Sequence, residues 1–95
     1  MLGLLVNYGL NADYQQYGMM EAFRGALKMT EAFRALVDSY GAGGAGNLEQ
    51  SLALAKTAWS KADEARTIAP NLADAAAQVM QAASAIAERA RGSSF

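Results

Sequence analysis

A length of 95 residues with 53% hydrophobic content bounds the chain at one small domain or one subunit. The sequence holds no His and no Cys, the residue types that most often serve as general base, nucleophile or transition-metal ligand. Eight basic against nine acidic residues leave a net charge of -1, so no single-sign field exists to draw in nucleic acid.

The first twelve residues carry no charge and include Leu2, Leu4, Leu5, Val6, Tyr8 and Leu10. No basic region precedes this apolar stretch, so a secretory signal is not expected. A spanning helix needs about 20 mostly apolar residues, and Asn7, Asn11, Asp13, Gln15 and Gln16 interrupt any such window. No transmembrane helix is expected, and contact with a membrane or another subunit through residues 1–12 stays open.

Residues 13–40 read as the first helix, with Asn11 or Asp13 as its cap, because a short side-chain oxygen there accepts a bond from a first-turn N–H. Met19, Ala26, Phe33 and Tyr40 recur every seven residues, with Ala22/Phe23, Met29/Thr30 and Leu36/Val37 between them. A spacing near 3.5 residues predicts one apolar stripe and a left-handed crossing with a partner helix. Residues 41–46, Gly-Ala-Gly-Gly-Ala-Gly, read as a flexible glycine hinge that ends this helix. A phosphate-binding loop would need a preceding strand and a following Lys-Ser/Thr pair, and Asn47-Leu48-Glu49 follows instead.

Asn47 with Gln50 resembles a capping box and opens the second helix, assigned to residues 47–69. Its expected stripe is Leu48, Leu52, Ala55, Trp59, Ala62 and Ala69, which places Trp59 in the core rather than on a stacking platform. Pro70 forbids uninterrupted helical bonding, and Asn71 is the expected cap of a third helix within residues 70–91. Asp74 in its first turn and Arg89 and Arg91 in its last suit the helix dipole. Leu72, Ala76, Val79, Ala83, Ile86 and Ala90 form its apolar stripe, and residues 92–95 are a short tail. The fold expectation is all-α: a long first helix, a glycine-rich loop, and an Ala-rich antiparallel hairpin.

Adjacent carboxylates such as Asp63 and Glu64 point to different sides of a helix, and a Glu-x-x-His metal motif cannot occur without His. No catalytic residue, cofactor site or metal site is therefore expected. A seam built on Ala gains less from burial than one built on Leu or Val, while ordering each residue costs about 1–2 kcal/mol. That imbalance predicts association with copies of the same chain or with a larger protein assembly. The expected interface residues are Leu4, Leu5, Tyr8, Tyr14, Tyr17, Met20, Phe23, Leu27 and Phe33, joined by Ala76, Ala83 and Ala90 as close lateral contacts.

In composition and helical layout the chain resembles small helical subunits of secretion needles and internal phage virion proteins rich in Ala and Gln, with no motif of either matched residue by residue. The expectation is a noncatalytic structural subunit of a multi-copy assembly. A helical adaptor for a partner protein and a membrane-active helical protein are the two rivals.

Overall fold

The computed structural model describes the backbone of residues 2–92 and the side chains of residues 19–92. Three helices account for it: α1 over Leu2–Gly44, α2 over Leu48–Ile68 and α3 over Ala73–Gly92, with a 3₁₀ turn at Pro70–Leu72 before the last. No strand occurs among the described residues. The all-α, three-helix expectation therefore holds, with a long first helix and α2 packed on α3.

Two boundaries differ from expectation at the ends of α1. The helix starts at Leu2, so Asn11 and Asp13 lie inside it rather than at its start. Leu2, Leu4, Leu5 and Leu10 are sound helix formers, and one Asn or Asp within a long run costs too little to stop it. The glycine hinge is also shorter than expected, since Gly41, Gly43 and Gly44 remain helical. Only Gly46 takes the left-handed conformation, with φ +86°. There the Asn47 N–H donates to the Ala42 carbonyl at 2.9 Å and the Gly46 N–H to Gly43 at 3.0 Å. This pair of bonds is a Schellman closure, which satisfies carbonyls that the last turn leaves without partners.

Helix α2 starts where the sequence places it. The Asn47 side chain accepts from the Gln50 N–H at 3.3 Å, and its amide donates to the Gln50 side chain at 2.8 Å. The chain then reverses at Ala69, whose extended φ of -129° and ψ of 92° end α2. Asn71 does not cap α3, because Pro70 in the first position turns Pro70–Leu72 into a 3₁₀ segment and places Asn71 in its middle.

The packing runs in three layers. Met29 and Ala32 of α1 meet Ala62 and Ala65 of α2 and Ala76 and Val79 of α3. The buried residues of the middle layer are all alanine, Ala35, Ala58 and Ala83, with Leu36 packed against them. Ala55 then meets Ile86 and Ala87, with Leu36 and Leu52 packed against them. As α2 numbers fall from 65 to 55, α1 and α3 numbers rise, so α2 runs antiparallel to both neighbours. Helix α1, with 43 residues, spans about 65 Å, close to the molecule's long extent of 69 Å. Helix α2 has 21 residues and reaches about half as far. Gly25 lies against Ala69 at the α2–α3 corner, so the part of α1 before it continues past the bundle.

Candidate interaction surface

Which side of α1 is buried decides what the rest of the molecule presents to solvent. With 3.6 residues per turn, Gly25, Met29, Ala32, Leu36, Ser39 and Gly43 share one side, and each is buried or half-buried. Apart from Met29 and Leu36 these residues are small, and their lack of bulk brings the helices close. A Cβ on Gly25 would stand 2.6 Å from the Ala69 Cβ and 3.2 Å from the Leu72 Cδ1, too near for any side chain. Near the α1–α2 turn, Ser39 and Ser51 are both fully buried. The Ser39 hydroxyl donates to the Ser51 carbonyl at 2.5 Å, and the Ser51 hydroxyl to the Ser39 carbonyl at 2.7 Å. Each hydroxyl is thereby satisfied inside the buried seam.

The opposite side of α1 carries the large residues. Met19, Phe23, Phe33, Val37 and Tyr40 are 71%, 64%, 51%, 68% and 59% exposed, and Met20 and Leu27 flank them. The rest of the heptad stripe of the sequence faces away from the bundle, whereas its Met29 and Leu36 turn into the core. The expected crossing with a partner helix is made within the chain by Met29 and Leu36 and not by the exposed residues. An alanine layer gives close backbone approach and leaves no room for Phe or Tyr rings between helices, so the small-residue side takes the interior. Thr30 lies within the stripe, and its hydroxyl donates to the Ala26 carbonyl at 3.0 Å. No charged residue occupies positions 19, 23, 26, 30, 33, 37 or 40.

The expected interface residues divide into three groups. Met20, Phe23, Leu27 and Phe33 are exposed on α1. Ala76, Ala83 and Ala90 are buried in the chain's own core, so they are not lateral contacts to another molecule. Their helical spacing is the same for either role; residues of α1 and α2 cover Ala76 and Ala83. Leu4, Leu5, Tyr8, Tyr14 and Tyr17 lie outside the described side chains. Val37, Tyr40 and Met19 carry exposed area that the expected interface omits, although the heptad spacing singles out all three positions.

Trp59 corrects the sequence reading of α2. Ala58 takes the fully buried position and Trp59 stands 40% exposed. The indole borders a groove of about 310 Å³ between α2 and α3, with Ala83, Ala87, Lys56, Glu88 and Arg91 around it. Opposite charges share that groove, and among the described residues no buried side-chain N or O atom lacks a partner.

Two ion pairs join the surfaces of α1 and α2. Lys28 pairs with Glu64 at 3.2 Å and Lys61 with Glu31 at 3.2 Å, while Lys28 and Glu31 stand 3.9 Å apart along α1. The hydrogen bond and charge of Glu31 raise the Lys61 ammonium above its ordinary 10.5. On α2, the Arg66 Nε donates to the Asp63 Oδ1 at 2.7 Å. No cluster of three or more acidic residues able to hold a metal occurs among the described residues. No described helix is long and apolar enough to cross a membrane.

Comparison with known protein families, curated proteins and solved structures finds no match to this chain.

Proposed function

We propose that this chain is a noncatalytic structural subunit of a multi-copy protein assembly. The observation that carries this reading is the exposed face of α1. Seven large apolar side chains lie along or beside one stripe over Met19–Tyr40. At roughly 150–250 Å² per large side chain, exposures of 48–71% leave on the order of 700–800 Å² open to water. The largest apolar patch on a typical monomer is about 300–600 Å². A standard interface buries about 800 Å² per partner.

The interior supports the same reading from the opposite direction. The buried residues of its central layer are three alanines, and Ala gains far less from burial than the Phe, Met and Val residues on the outside. Most of the buried residues are alanine, with Met29, Val79 and Ile86 the large exceptions, while seven large apolar residues of α1 stay outside. A second chain on α1 reverses that imbalance. The subunit would assemble through the α1 face, with the bundle of α2 and α3 acting as the rigid back that holds α1 straight.

Size-exclusion chromatography with light scattering tests the reading. A species larger than the 10.0 kDa monomer, growing with concentration, is expected. A 10.0 kDa species at every concentration would refute self-assembly and favour a helical adaptor that awaits another protein.

A further inference from the structure

We infer that the exposed face of α1 pairs with the same face of a second copy, the two α1 helices running antiparallel about a two-fold axis. This pairing rests on the assembly reading above and adds the partner, the surface and the direction. It starts from the spacing. Met19, Phe23, Ala26, Thr30, Phe33, Val37, Tyr40 and Gly44 alternate four- and three-residue steps without a break. That alternation is the seam of a coiled coil, in which each residue inserts between four of the facing helix. The described part of the seam, from Met19 to Gly44, spans about 38 Å.

The sizes of the seam residues choose the direction. A two-fold interface needs a surface complementary to itself. Set antiparallel with Phe23 level with the second copy's Tyr40, the seam places Ala26 level with Val37 and Thr30 level with Phe33. Each large residue at the centre then meets a smaller one. A parallel pair would set Phe33 against Phe33 and Ala26 against Ala26, crowding one level and leaving a gap at another. The four charges of the Lys28, Glu31, Lys61 and Glu64 network are already engaged within the chain. The Thr30 hydroxyl, bonded to Ala26, enters a dry seam without leaving a donor unmade.

Area supports a second copy as well. The open apolar surface of one face, on the order of 700–800 Å², matches the share each partner contributes to a stable dimer.

The chain has no native cysteine, which makes cross-linking clean. Chains carrying Ala26→Cys and chains carrying Val37→Cys are mixed and oxidised with glutathione disulfide. The mixed dimer, joining one Ala26→Cys chain to one Val37→Cys chain, is expected to predominate over both homodimers, because a disulfide needs Cα atoms within about 7 Å. Dominant homodimers of the Ala26→Cys chain would overturn the antiparallel arrangement, and absence of any disulfide dimer would overturn the pairing. Phe33→Asp, an exposed site whose fold is followed by far-UV circular dichroism, is expected to abolish the mixed disulfide with helicity unchanged. Assemblies that persist at full size with Phe33→Asp would leave the assembly reading standing and overturn this one. Vesicle binding by chains that stay monomeric in buffer, lost with Phe33→Asp, would assign the face to a membrane instead.

Discussion

At the scale of single residues, the fold depends on side chains that are absent or minimal. Gly25 is required by contact rather than by backbone angle, since its Cβ would meet Ala69 at 2.6 Å. Gly25→Ala gains about 1 kcal/mol of helix propensity and meets an overpacking cost of about 1–3 kcal/mol. Ala69 Cβ has no rotamer by which to yield, so urea denaturation should show a net loss of roughly 1–2 kcal/mol. Gly41 is the control. Nothing lies within 4 Å of its added Cβ, and Gly41→Ala should raise stability by about 0.5–1 kcal/mol. Equal effects at the two positions would contradict the close approach of α1 to the corner. Ser39 and Ser51 make a similar pair of arguments. Ser39→Ala removes one hydrogen bond between α1 and α2 and should cost about 1 kcal/mol. A double-mutant cycle with Ser51→Ala should give less than the sum, because the two hydroxyls share one buried seam.

At the scale of elements, α1, α2 and α3 touch through alanine. Ala83 is 1% exposed in a layer shared only with Ala35 and Ala58 among buried residues. Ala83→Leu should destabilise by about 1–3 kcal/mol in thermal unfolding, and an unchanged melting temperature would mean the layer has slack. The ion pairs between α1 and α2 sit at the surface and contribute little in salt. Lys61 nonetheless has a signature. Its folded pKa lies above 10.5 because of Glu31, so its contribution is complete below 10.5 and is lost as pH rises through the raised folded value. The stability difference between the native chain and Lys61→Gln should stay level from neutral pH to 10.5 and shrink above it.

Much of this is legible in the sequence where one residue type has a single use. The α3 stripe of Ala76, Val79, Ala83, Ile86 and Ala90 is buried as its spacing implies, and Asn47 caps α2. Legibility fails where two sides of a helix compete for the interior. On α1 the heptad stripe is present, but periodicity alone cannot say whether its partner is inside the chain. The winning side is written in Gly25, Ala32, Ala35 and Ser39, residues a hydrophobicity pattern undervalues. Trp59 misleads for the same reason, since Ala58 beside it fits the narrow seam. Gly41, Gly43 and Gly44 stay helical although glycine disfavours it, because the closing bonds come only after them, at Gly46 and Asn47.

At the scale of the whole molecule, the chain is a rod of 69 × 17 × 12 Å with a run of exposed Met, Phe, Val and Tyr side chains along α1. A chain with an Ala-rich interior and such a face gains stability when a second chain covers the face. Stability and association are then linked through mass action. The most direct measurement is the melting temperature, followed by circular dichroism over about a hundredfold range of protein concentration. The native chain should melt at a temperature that climbs with concentration. Phe33→Asp should melt at one temperature throughout, close to that of the native chain at its most dilute. A native chain whose melting temperature ignores concentration, and equals that of Phe33→Asp, would contradict the account.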